Sequence, residues 1–274
     1  MAIQNSINTN PAALVALRNL NATNLALGQT QDKVSTGLKV IGAKDDASSF
    51  AIAQGIRAEL KGIGAVKQGL SNGQGVATVA ISGTTEVSNL LADIKKKIIE
   101  GLNPANTSEQ QVILNADFVG LIGQILTFVQ NAEFNGRNIL ESGGSNVNII
   151  ADTSGGALTL RAQDLEGTAF SPLNAQNLAN ASAASAALTV VNSAIATVNT
   201  ALGQLGADNR ALTFQESFLS AISDATEEGL ASIVDADLAK ESAQLQSLQV
   251  KQQLAIQTLS IANATPQVIL SLFR

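Results

Sequence analysis

The chain has 274 residues, 45% of them apolar, 14% charged and 3% aromatic, with a net charge of −6 and a pI near 4.7. It contains no His, Cys, Trp or Tyr, which removes histidine bases, thiol nucleophiles, the usual zinc ligand sets and disulfide staples. No basic stripe is present to neutralise phosphates, so nucleic acid is not an expected partner, and no enzyme, cofactor or metal reading is supported.

The first residues, MAIQNSINTNPAALVALRNL, have no basic n-region or continuous apolar h-region and do not read as a secretory signal peptide. No run approaches about 18 consecutive apolar residues, so no helix is expected to insert in a membrane. A 3-4 rhythm begins at Leu17 and takes Leu20, Asn24, Leu27, Gln31, Val34, Leu38 and Ile41. Asp45 and Asp46 then supply an N-cap for a longer helix. Its seam runs in alternate steps of four and three from Ile52 to Ile98, and eleven of the fourteen positions are apolar. That is a coiled-coil-like pattern. Gly73 and Gly75 lie inside it without a strand-turn-helix context, so they read as structural glycines and not as a phosphate loop. Lys95-Lys96-Lys97 reads as a solvated face, and Gly101 followed by Asn103-Pro104 as the stop.

A second helix follows, with one stripe of Leu114, Phe118, Leu121, Ile125 and Phe128 beside another of Val112, Val119, Ile122, Leu126 and Val129. So broad an apolar face is expected to lie between neighbours. Phe134-Asn135-Gly136 predicts a sharp structural turn with positive φ. Glycine pairs then bracket VNII and ALTLRA, two short alternating runs that predict a small β-hairpin. Helical period returns with Leu188, Val191, Ile195, Val198, Leu202, Leu205, Leu212 and Leu219 on one seam.

The last segment takes Leu238, Leu245, Leu248, Ala255, Leu259, Ala262, Ile269 and Phe273, interrupted at Glu241, Gln252 and Pro266. Leu254, Ile256, Ile261, Leu270 and Leu272 lie off that seam. Asp235 and Asp237 read as helix caps. Burying a Leu or Ile contributes about 1.5–3 kcal/mol, while ordering one backbone residue costs about 1–2 kcal/mol. With about one large apolar residue in three, a lone terminal helix comes out near zero. Pairing the two ends covers one face of each and leaves a second wet, so other copies of the chain are expected to cover it. The expected assembly residues are Leu17, Leu20, Leu27, Val34, Leu238, Leu245, Leu248, Leu254, Leu259, Ile269, Leu272 and Phe273.

Three blocks carry a family resemblance. SINTNPAALVALRNLN with STGLKVIGAKDDASSFAIA, then EFNGRNIL, then VDADLAKESAQLQSLQVKQQLAIQTLSIANATPQVILSLF together resemble the bacterial flagellins, over about the first 140 and last 90 residues. The resemblance implies a mainly α fold: a long coiled-coil-like rod with a small β-hairpin, and N- and C-terminal helices paired in an inner layer. The implied divisions are 1–42 for the N-terminal inner helix, 43–140 for the first half of the rod and 141–184 for a short variable hairpin region. Residues 185–234 complete the rod and 235–274 form the C-terminal inner helix. It implies export by the flagellar type III apparatus and self-assembly into an extracellular filament for motility. An export chaperone and junction and cap proteins are the further partners it implies. A hook–filament junction protein of the same superfamily is the alternative, and a type III translocator a more distant one. Many flagellins carry an arginine-rich helical motif, followed by a glutamate on the next helix, that engages an innate Toll-like receptor. Here Asp93 stands for a key arginine, Lys97 for a key leucine and Asp117 for a glutamate, so weak activation is expected.

Overall fold

The computed structural model describes residues 9–271, with side chains through Ala264. It divides into two compact units, Met1–Ala58 with Ala225–Arg274, and Glu59–Asp224.

In the first unit, helix α1 (Pro11–Thr36) starts where Asn10 Oδ1 accepts from the Ala13 N–H at 3.1 Å. Pro11 has no N–H to leave unpaired at this first helical position. The 3-4 rhythm predicts continuation to Ile41, but the helix stops at Thr36. Gly37 adopts φ 74°, its N–H donates to the Lys33 carbonyl at 2.9 Å, and a left-handed residue of this kind ends a helix. Leu38 instead pairs with Asp235 in an antiparallel bridge, flanked by Lys39 N–H to Val234 O at 2.7 Å and Ala236 N–H to Gly37 O at 2.8 Å.

Helix α2 (Ala47–Gly101) is capped by Asp46, whose Oδ1 accepts from the Ser48 and Ser49 N–H groups. Asp45 braces the preceding loop, accepting from Ile41 and Gly42, both at 3.1 Å. Helix α6 (Leu238–Ser271) is capped by Asp237 and stays helical through Pro266. Of the two acidic pairs expected to cap, one member of each does so.

The second unit is built on the α2 seam. Ile63, Val66, Leu70, Ala77, Ala80, Thr84, Val87, Leu91, Ile94 and Ile98 are all buried, as the period predicts. Helix α3 (Ser108–Asn131) opens with a capping box between Thr107 and Gln110. It buries Phe118, Ile122, Ile125 and Val129, one residue from each alternation of the two stripes. Val112, Ile113, Val119 and Phe128 remain exposed, so this helix does not lie between neighbours within the chain. Strands β1 (Glu133–Phe134) and β2 (Arg137–Asn138) follow as a minimal hairpin. Its two-residue loop has Asn135 at φ 50° and Gly136 at φ 76°, the positive pair that a tight hairpin turn requires. Asn138 ties the hairpin back by donating to the Val129 carbonyl at 2.7 Å.

The expected hairpin is β3 (Val147–Ile150) with β4 (Ala157–Leu160), paired Val147 to Leu160 through Ile150 to Ala157. Arg161 is clamped by Asp208 through Nε at 3.1 Å and Nη2 at 2.7 Å, which holds the guanidinium charged. A π-helical turn (Glu166–Phe170) and a short helix α4 (Ser171–Asn174), neither of them expected, bring Phe170 and Leu173 into the core.

Helix α5 (Ala181–Val234) departs from its predicted seam in an informative way. Val191, Val198, Leu205, Leu212 and Leu219 are buried, but between them the deepest positions are Ala187, Ala194 and Ala201. Leu188, Ile195 and Leu202, predicted on the seam, are half-buried beside them. Small residues meet at the end of this stripe: a Cβ at Gly101 would lie 3.6 Å from that of Ala184. Counting only large side chains shifts the seam by one position.

Two glycines in α2 are explained by packing. A Cβ at Gly75 would meet the Phe134 ring at 2.7 Å, and one at Gly73 would overlap Ile149. Both admit a side chain from a neighbouring strand or turn, and neither forms part of a phosphate loop.

Candidate assembly interface

Helices α1 and α6 pair antiparallel, and their register can be read from three contacts. Asn10 Nδ2 donates to the Ala262 carbonyl at 2.7 Å, Gln252 Nε2 to Asn24 Oδ1 at 2.7 Å, and Lys33 Nζ lies 3.8 Å from Glu241 Oε1. The contacting face holds Ala16, Leu20, Leu27, Thr30 and Val34 of α1 against Leu245, Leu248, Ala255 and Leu259 of α6, buried or half-buried. Small residues alternate with leucines here, so the two helices meet along a narrow stripe.

The structure therefore divides the expected assembly residues. Leu20, Leu27, Val34, Leu245, Leu248 and Leu259 serve the contact between the two helices of one chain. Leu17, Leu238 and Leu254 point to solvent. Leu14, Val15, Leu25 and Val250 share that exposure with Ile256, and the 3-4 rhythm passes over all five. Their signal is the leucine or valine one or two positions off the seam, as in ALVAL. The side chain of Ile269 lies outside the described part, as do residues Leu272 and Phe273.

The degenerate receptor positions lie on α2 and α3. Lys97 Nζ is 3.3 Å from Asp117 Oδ2 and 3.4 Å from Glu100 Oε2. Hydrogen bonding to Asp117, with the Glu100 charge, raises its pKa. Asp93 is exposed one turn earlier. A cation is thus neutralised in place beside an unpaired carboxylate.

Two helices among the described residues, α3 and α5, are long and apolar enough to cross a membrane, with mean hydropathy of 1.8 and 1.5 over their best windows. The sequence expectation counted unbroken apolar runs of about 18 residues, which neither helix contains. A windowed mean tolerates the interspersed Asn, Gln and Thr. In the fold, Phe118, Ile122, Ile125 and Val129 of α3 and Val191, Val198, Leu205, Leu212 and Leu219 of α5 belong to the core of the second unit.

A chain whose paired terminal helices each keep an open apolar face, attached to a unit with its own core, is a helical protein built to associate through its ends. Comparison with known proteins gives the family. The family model for the bacterial flagellin N-terminal helical region matches residues 7–145, and that for the C-terminal helical region matches residues 188–273. Flagellin FljO of Caulobacter vibrioides is 37% identical, covering 98% of this chain and 99% of its own. A flagellin of Brucella melitensis is 36% identical over the same shares of the two chains. The crystal structure of Bacillus cereus flagellin, at 20% identity, shares the fold with a TM-score of 0.52, covering 55% of this chain and 88% of that one. The chain belongs to the bacterial flagellin family. It is a structural subunit of the flagellar filament, extracellular and without enzymatic function, and it serves motility as a polymer.

Proposed function

We propose that the open faces of α1 and α6 are the surfaces through which successive copies join. Residues 1–42 and 235–274 then form the inner layer of the filament, and 43–234 the rod, with 141–184 as a short hairpin region in place of large outer domains. The observation that carries this is the row of exposed Leu14, Leu17 and Leu25 on one helix with Leu238, Val250 and Leu254 on its partner. Six large apolar side chains in water on a single helix pair are surface that association would cover. A contact between different faces of identical subunits propagates as a helix when its rotation does not close into a ring.

The same reading accounts for handling before assembly. A helix pair held by a narrow seam opens easily, which suits passage through an export channel and leaves the C-terminal segment available to a chaperone. Junction and cap proteins would meet the same end surfaces at the filament's two limits. Negative-stain electron microscopy of the purified chain, with and without residues 235–274, after adding filament seeds tests the assignment. Filaments are expected from the intact chain alone; filaments from both would overturn it.

The receptor surface is a separate matter. With Asp93 reversed in charge and Lys97 tied to Asp117, this flagellin activates the innate Toll-like receptor weakly. Full potency in a reporter-cell assay at ordinary flagellin doses would refute this.

A further inference from the structure

The second unit carries an aromatic projection and an apolar groove on opposite sides. Phe214 and Phe218, one turn apart on α5, are 71% and 58% exposed, although the chain has only eight phenylalanines. Exposed Ala211 and Ala221 flank them, with Arg210 one turn before Phe214. On α2, Gly69 lies at the open floor of a groove of about 470 Å³ lined by Val66, Phe134, Val147 and Ile149 together with the polar Arg137 and Asn148, while Ile149 covers Gly73. A cavity of about 150 Å³ accepts one benzene ring, so the groove has room for two phenyl rings and their methylenes. No atom lies within 4 Å of a Cβ position at Gly69, which leaves the space above it open.

One contact fixes the relation between projection and groove. Gln74 Nε2 of α2 donates to Glu216 Oε2 of α5 at 2.8 Å, which marks where the two helices face each other. At about 100° per residue, Phe214 and Phe218 each lie roughly 160° around α5 from Glu216. By the same count Gly69 and Asn72 lie about 140–160° around α2 from Gln74. The rings and the groove therefore point away from one another, and a chain cannot fill its groove with its own rings.

We infer that Phe214 and Phe218 of one subunit insert into the Gly69–Gly73 groove of a second copy, making a lateral contact between rods. The inference rests on the filament reading, which supplies the occupant: in a polymer of one chain, each side of a rod meets the other side of an identical rod. The fit is also chemical. Gly69 presents no side chain against the rings, and Val66, Phe134 and Val147 offer them apolar walls. Because the two surfaces differ, the contact is head-to-tail and can repeat from subunit to subunit along a filament.

The chain has no cysteine, so two single-cysteine variants label cleanly. Ala221→Cys sits beside the rings and Asn72→Cys at the groove, both exposed and both leaving the phenylalanines and glycines intact. Mixed, seeded into filaments confirmed by electron microscopy, and treated with a short bis-maleimide, they are expected to join as covalent dimers. A chain carrying both cysteines should give a ladder. Gly69→Leu, which has room in the monomer and a better helix propensity, should melt no lower than wild type yet raise the critical concentration for assembly at least about tenfold. Filaments that form but yield no cross-link overturn the ring-and-groove contact and leave the terminal-helix reading standing. An intact chain that forms no filament even from seeds overturns both.

Discussion

Replacing Leu25, Leu254 and Ile256 together by alanine isolates the open faces of the terminal helices. These residues are 68%, 56% and 53% exposed, so the surface still available for burial amounts to somewhat under two full side chains. At about 1.5–3 kcal/mol per fully buried side chain, assembly that covers it gains roughly 3–5 kcal/mol. Each 1.4 kcal/mol is a factor of ten, and alanine keeps one methyl at each site. The critical concentration for seeded elongation should therefore rise at least about thirtyfold. The pairing of α1 with α6 should survive, because Leu20, Thr30 and Leu248 lie on the other face, and alanine is as good a helix former as leucine or better. Sedimentation of polymer from monomer measures the concentration, and circular dichroism of the monomer controls for folding. A critical concentration within about threefold of wild type would refute the reasoning, since that is under 1 kcal/mol for all three residues.

The remaining predictions concern the monomer. Gly75→Ala should lower the melting temperature, because the Phe134 ring at 2.7 Å must move and overpacking costs about 1–3 kcal/mol, more than the helix-propensity gain. Gly203→Ala, with nothing within 4 Å, should raise stability by up to about 1 kcal/mol in the same denaturation assay. The Asp46 carboxyl is held below its ordinary value of 3.8 by the Ser49 hydroxyl, then by the Ser49 and Ser48 N–H groups. Its folded pKa is depressed, so its stabilisation is present above pH 3.8 and lost as the pH falls through the lower folded value. The melting-temperature advantage of wild type over Asp46→Ala should accordingly shrink through that window. An advantage that grows on acidification would contradict the sign.

The sequence was most informative where period and burial coincide. On α2 the seam from Ile63 to Ile98 is the buried face, and paired glycines bracket the β3–β4 hairpin as expected. Legibility ended where small residues decide the packing. Ala187, Ala194 and Ala201 share the buried face of α5 with Val191, Val198 and Leu205, but hydrophobic size draws attention to Leu188, Ile195 and Leu202 instead. The end of α1 was hidden for a related reason: Leu38 and Ile41 keep the rhythm, and only the left-handed Gly37 reveals that the chain has already turned. At the interface, period alone could not separate residues serving the α1–α6 seam from those left in water. Both sets are leucines at helical spacing, and the side of the helix on which the partner sits is a tertiary fact. Phe214 and Phe218 carried no pattern at all, because they lie off every seam.

Helical reconstruction of filaments grown from the intact chain tests the central claim most directly. The account predicts that α1 and α6 lie innermost, with Leu14, Leu25, Leu254 and Ile256 packed against neighbouring subunits. Filaments in which those four side chains face open solvent, with subunits joined through other surfaces, would contradict it.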